Sequence, residues 1–216
     1  MRDKNRGVSF NMQKHNICIM GIPFMSITHI LCVDLEATCD EGDAGQAFIP
    51  LMETIELGAV MLDIRTAQPT GEFATFIRPQ VAPVLSPFCK RLTHIEQANV
   101  DRAPTYPEVA SPLDQFLDHY GDRWLWCSWG NYDNQQLIKD AARLNTDPLL
   151  PPDRHINLKK PFAKYKKMKM VGLKRAVEML GLEWEGQHHR GIDDARNLAR
   201  IVAHMIKEDV FPLPSA

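Results

Sequence analysis

The sequence predicts an α/β domain built round a mixed central sheet of about five strands, with helices flanking it. Three observations carry this. Apolar, β-branched runs alternate with helical patterns in the order β-β-β-α-β-α-β-α-α. The second and third of the first three strand runs are joined by a turn rich in polar residues, which gives the three the shape of an antiparallel meander. The chain has 216 residues, 44% of them hydrophobic, which suits one large domain with a substantial core.

The elements follow in order. Thr28 to Asp34 reads as a buried strand, and residues 37 to 50, with two glycines and Pro50, as a loop. Ile55 to Ile64 and Glu72 to Arg78 are the second and third strands, joined through a turn from Asp63 to Gly71. Residues 79 to 91 form a proline-marked loop, and residues 92 to 99 suit a short helix. Pro107 to Tyr120 places Val109, Leu113, Phe116, Leu117 and Tyr120 on one helical face, with Thr105 to Glu108 as its start. Arg123 to Ser128 is a short strand. Tyr132 to Leu144 is a helix facing inward with Gln136, Leu137 and Ala141. Ile156 to Leu158 is a brief extended piece, Gly172 to Leu180 a helix closed by Gly181, and Ile192 to Ile206 the last helix. The simplest organisation is one domain from 26 to 208, with an extension over 1–25 and a tail over 209–216.

Composition narrows the function. With 25 basic and 27 acidic residues the formal charge is −2, so no histone-like cationic coat is present; a local basic patch or bound cations can still serve a polyanion. The five cysteines are odd in number and lack C-x-x-C spacing, which argues against a disulfide scaffold or structural zinc and for a reducing, cytoplasmic compartment. Arg2, Lys4 and Arg6 precede an apolar run from Ile17 to Val33 that outlines a signal peptide. Pro23, Ser26, Thr28 and His29 break that run, so neither an export signal nor a membrane span is expected. Met12, Met20 and Met25 are alternative starts, which makes residues 1–25 a loose extension or a start-site artefact.

Three local patterns carry chemistry. Asp34 and Glu36 lie two apart on one strand, so both face the same way. Paired carboxylates at the end of an apolar strand repel, and a cation relieves that repulsion; a strand end meeting solvent explains them equally well. Asp133 follows the strand ending at Ser128, after Gly130, in the first turn of a helix. A capping or dipole role fits it as well as a ligand role. His189 leads from a glycine-containing loop into a helix opened by Asp193 and Asp194, which spacing alone does not rank. His188 reads as an exposed loop residue. Residues 159 to 175 contain Lys159, Lys160, Lys164, Lys166, Lys167, Lys169, Lys174 and Arg175 without an acid, which fits either a phosphate-contacting surface or a solvated helical face. Trp129 is a candidate stacking or pocket-wall residue.

Taken together, Val33-Asp34-Leu35-Glu36-Ala37-Thr38, Trp129-Gly130-Asn131-Tyr132-Asp133 and His189-Arg190-Gly191-Ile192-Asp193-Asp194 resemble the three motifs of the DEDDh, DnaQ-like exonucleases. The segment from Phe88 to Ile95, with Gln97, Val100, Ala103 and Pro104, is similar to the connecting segment of the branch that trims histone mRNA and small interfering RNA and includes bacterial KapD-like proteins. The resemblance covers about residues 28 to 206. It implies an RNase H-like fold and 3′-to-5′ hydrolysis with two divalent cations, Mg2+ or Mn2+. It assigns Asp34, Glu36, Asp133 and Asp194 to the metals, with the five-residue step from His189 selecting Asp194 over Asp193. It makes His189 the general base, with Glu36 also orienting water. Leu35, Ala37 and Thr38 would lie beside the terminal nucleotide, and Leu92 and Thr93 would form the opposite wall. The expected partners are the 3′ end of single-stranded RNA or DNA and a nucleoside monophosphate product. Competing functions are a polymerase-associated proofreading subunit, for which no binding tail is evident, and a non-catalytic RNA-binding module, against which all four acids are present. His94 stands where the branch usually has glycine, and Asn131 where an acid is frequent; both departures bear on substrate detail.

Overall fold

In a computed structural model, residues 27–213 are described, so the expectations for residues 1–25 lie outside them. Five strands form one sheet in the order β3-β2-β1-β4-β5. The strand β1 (His29–Ala37) is central. It runs antiparallel to β2 (Thr54–Asp63), which in turn pairs antiparallel with β3 (Gln68–Phe76). On its other side β1 is parallel to β4 (Trp124–Ser128), and β4 to β5 (His155–Asn157). The meander and the mixed sheet expected from the sequence are both present.

Among the described residues the α-helices are α1 (Gly42–Phe48), α2 (Pro87–Thr93), α3 (Gln97–Asp101), α4 (Tyr106–Asp118), α5 (Tyr132–Leu144), α6 (Lys159–Tyr165), α7 (Leu173–Met179) and α8 (Gly191–Lys207). Alternate residues of β1 feed two core layers. Ile30 and Cys32 pack with Leu198, Ile201, Val202 and Met205 of α8 and with α6 and α7, while Leu31, Val33 and Leu35 pack with Val109, Leu113 and Leu117 of α4 and Leu137 and Ala141 of α5. A third cluster, Ile55, Leu85, Cys89, Ile95 and Val100, lies under α2 and α3.

Several expectations change. Residues 37 to 50 contain α1, a single short helix whose glycines and missing side-chain cap hid it. The 79 to 91 loop ends at Pro87, because the Ser86 hydroxyl accepts the Cys89 amide and Pro87 fills the first turn. The helix over 92 to 99 becomes two, α2 and α3, separated at His94. His94 takes a left-handed conformation, φ 58°, while its amide closes α2 on the Lys90 carbonyl. That is the conformation glycine favours, which accounts for a non-glycine residue there being a departure. β3 begins four residues before the expected Glu72, as an edge strand that tolerates Pro69.

Two fold features position the chemistry. Gly58 on β2 pairs with Asp34, and a Cβ there would collide with the backbone of Gly191 and Ile192. The start of α8 therefore seats backbone to backbone on β2. α4 starts where Thr105 to Glu108 indicated, and there Thr105 and Glu108 form a capping box with hydrogen bonds of 2.7 Å.

Candidate active site

The C-terminal end of β1 carries Asp34 and Glu36 on one face, and the first turn of α8 brings Asp194 to them. Their carboxylate oxygens lie within 4.8 Å of one another. Glu36 and Asp194 are buried and Asp34 is half-buried. Asp133, buried in the first turn of α5, stands beside this trio and accepts the Leu35 amide at 3.2 Å. Three distant stretches of chain thus bring the four acids together.

Crowding these acids has an electrostatic cost. Burial, followed by repulsion from Asp133, Asp194, Glu36 and Glu56, holds the Asp34 carboxyl well above its ordinary range. Burial and the charges of Asp194 and Glu56 push Glu36 up to about 9. Asp194 rises to about 7 for the same first reason, and Asp133 is raised by burial. Protons or cations must offset the charge near neutral pH. An all-oxygen set of this kind suits a hard divalent cation, so the residues fit the metals that the motifs imply.

These shifts make stability depend on pH. Raised carboxyls favour the folded state fully below their unfolded values near 4, and that contribution is lost as pH rises through the folded values of about 7 and 9. Chelator-treated protein is expected to melt roughly 5 °C or more lower near pH 9 than near pH 5, and added Mg2+ or Mn2+ to recover most of that loss. Equal melting temperatures across this range, with no metal increment, would contradict the arrangement.

His189 sits at φ 64° on the loop entering α8, half-buried. Burial, then His188 and His94, lowers its pKa, which favours the neutral imidazole. His188 is not an exposed loop residue, contrary to expectation. It stacks on His189 with centroids 4.0 Å apart, abuts Trp184 at 4.8 Å, and places Nδ1 3.2 Å from Asp194 Oδ2. The Lys174 charge acts on it from α7.

Glu56 and Arg190 escaped the sequence reading. Glu56, opposite Glu36 in the β1–β2 register, is buried; it accepts Arg190 Nε and Nη2, both at 3.1 Å, and the Gly191 amide at 3.0 Å. This bidentate clamp fixes the loop that carries His189. No local pattern marks it, because its partners lie 134 residues apart.

The expected substrate contacts divide. Leu35, Ala37 and Thr38 are buried beneath the site, and the Thr38 hydroxyl accepts the Glu53 amide. Thr93 is fully buried: its hydroxyl donates to the Cys89 carbonyl and accepts the Ile95 amide, so it braces the turn at His94 instead of forming an open wall. Leu92 is half-buried and His94 exposed beside it. Trp129 donates its indole N–H to the Val171 carbonyl at 2.9 Å and packs on Phe162, which anchors it against the core. On and after α6, Lys159 and Lys166 are half-buried and Lys160 and Lys167 exposed, with Lys166 over the Tyr165 ring at 4.5 Å. Among the described residues no helix is long and apolar enough to cross a membrane.

Known proteins share this fold. A family model described as RNase_T, exonuclease, matches residues 31–202. The chain is 31% identical over 212 residues to 3′-5′ exonuclease eri1 of Schizosaccharomyces pombe, covering 85% of this chain and 70% of that protein. It is 31% identical to 3′-5′ exoribonuclease 1 of Mus musculus, covering 83% of this chain and spanning about half, 53%, of that relative. Among solved structures, the nuclease domain of 3′hExo, a DEDDh family member bound to rAMP, superposes with a TM-score of 0.78 at 30% identity, covering 84% of this chain and 93% of that one. A 3′-exonuclease described as recognising the histone mRNA stem-loop gives 0.76 at 29% identity, with 84% and 83% covered.

Proposed function

Because the chain belongs to the RNase_T exonuclease family, we propose that it shortens RNA from the 3′ end, on single strands or short 3′ overhangs, and releases nucleoside 5′-monophosphates. The observation carrying this reading is the convergence of Asp34, Glu36 and Asp194, with Asp133 beside them and His189, favoured in its neutral form, at the rim. The family uses divalent metal; Mg2+, with Mn2+ as a substitute, is our assignment for this chain.

Asp34, Glu36, Asp133 and Asp194 are assigned to hold two divalent cations, which when bound neutralise the scissile phosphate and stabilise the entering and departing oxygens. Glu36 additionally orients the attacking water. His189 accepts that water's proton on a ring nitrogen as the water oxygen bonds to phosphorus. The bond from phosphorus to the 3′ oxygen breaks, and the shortened strand leaves with a 3′ hydroxyl after taking a proton from solvent. The Glu56–Arg190 pair keeps His189 in reach. Trp129 and Leu92 bound the terminal nucleotide, while Leu35, Ala37 and Thr38 shape the floor from beneath.

The α6 lysines supply the electrostatic track. Replacing Lys166 and Lys167 by alanine is expected to weaken RNA binding and flatten its dependence on salt by about one to two in log–log slope. Filter binding over a salt series measures this, and an unchanged slope removes the patch from the substrate path.

The direct test is a time course on end-labelled single-stranded RNA, matching DNA and a hairpin with a 3′ overhang, each with Mg2+, Mn2+ or chelator. One-nucleotide shortening of RNA from its free 3′ end, absent with chelator, is expected. Preference for DNA would redirect the reading to a DNA exonuclease, and binding of RNA without cleavage in either metal to a non-catalytic module.

A further inference from the structure

We propose that His188, His189 and Asp194 form a second, nitrogen-bearing metal site that takes zinc-class ions and thereby switches off the acidic centre. The donor atoms of these three residues lie within 4.8 Å of one another, a grouping distinct from the Asp34, Glu36 and Asp194 trio. Asp194 is common to both.

The chemistry separates the two sets. Three carboxylates suit hard Mg2+ or Mn2+, whereas two imidazoles and a carboxylate are a donor set for Zn2+, Co2+ or Ni2+. Tetrahedral zinc, with bonds of about 2.0–2.1 Å, places its donors roughly 3.3 Å apart. His188 Nδ1 and Asp194 Oδ2 already stand 3.2 Å apart. His189 is stacked alongside at 4.0 Å between centroids and is half-buried, so a rotation of its ring brings the third donor in. Trp184 backs His188 from the other side at 4.8 Å, which keeps that ring in place. Three protein ligands leave the fourth position to solvent.

Occupation has a direct consequence for the exonuclease reading, on which the inhibitory half of the proposal rests. An ion held here claims the nitrogen lone pair of His189 and the carboxylate of Asp194. The first is then no longer a base, and the second is withdrawn from the oxygen set. Zinc therefore competes with function through shared ligands.

The test uses the full chain, stripped with chelator, and needs no turnover. Zinc affinity is measured by competition with a chromophoric chelator for the wild type, His188→Gln, His188→Ala and Asp34→Ala. The glutamine variant keeps a hydrogen-bonding group opposite Asp194 but removes the imidazole. Stoichiometric zinc binding is expected in the wild type and in Asp34→Ala, weakened about tenfold or more in both His188 variants. Cobalt(II) should give the intense visible bands of a four-coordinate nitrogen-containing site in the wild type and lose them in His188→Gln. Equal zinc affinity in wild type and His188→Gln, or loss of zinc by Asp34→Ala, would put the ion in the acidic trio and overturn the proposal. In the cleavage assay, His188→Gln should keep the Mg2+-supported rate while needing about tenfold more zinc for half-inhibition. Zinc binding with no cleavage by any protein would retire the exonuclease reading and leave the metal site standing.

Discussion

Asp34→Ala is expected to lower the rate of 3′-terminal cleavage by about a thousandfold or more while the domain remains folded. Asp34 lies on the central strand, flanked by Val33 in one core layer and within contact of Glu36 and Asp194. Its carboxyl is the most burdened of the group: burial and four neighbouring acids all oppose its charge. Removing it takes away repulsion, so metal-free protein should melt at the same temperature or higher. The melting increment produced by Mg2+ should shrink in parallel with the rate, because the trio becomes a pair. A variant that cleaves normally would remove Asp34 from the metal centre. One that unfolds would show that the acid cluster is held together by something other than the packing of β1 between β2 and β4.

His189→Ala should slow hydrolysis by about 10² to 10⁴ while leaving the Mg2+ melting increment in place. The two readouts separate the base from the metal ligands. The sign of the pH effect follows from the lowered pKa of His189. The wild-type rate rises with pH as the imidazole loses its proton below the ordinary histidine value near 6.5, and it is level through neutrality. The alanine variant should lack that rising limb. A preserved limb would assign it to another group, and an unchanged rate would end the general-base role.

The parts of the molecule legible in the sequence are those set by local periodicity. Val109, Leu113 and Leu117 of α4 and Gln136, Leu137 and Ala141 of α5 are buried as their spacing indicates. The alternation that put Asp34 and Glu36 on one face holds, and β1, β2 and β4 fall where apolar runs place them. Short helices without clear end signals were harder. α1 carries two glycines, and α6 lies in a lysine-rich stretch that offers a helix and a solvated loop the same composition, whereas α7, of the same seven residues, is marked by Gly172 and Gly181. The Ser86-Pro87 start of α2 is a readable capping signal, outweighed in the sequence by the prolines around it.

For the site, the motif residues were legible and their supports were not. Glu56 looks like an ordinary strand residue until Arg190 arrives across the sheet. Asp140 likewise gives no warning that it is buried, accepting Thr54, Gln136 and Arg143 and so tying α5 to the start of β2. Thr93 carries a family pattern, yet its hydroxyl serves the backbone. Each of these depends on where a second chain segment lands, which no window of neighbouring residues contains.

The two halves of the acidic centre are tethered unequally. Asp34 and Glu36 belong to a strand hydrogen-bonded on both sides, whereas the loop before α8 is secured to the sheet by the Glu56 clamp, by Arg190 over the Phe76 ring and by the backbone seam at Gly58. The centre is therefore completed by the chain's last helix docking on its second strand, and losing Glu56 would disturb His189 and Asp194 before Asp34 and Glu36.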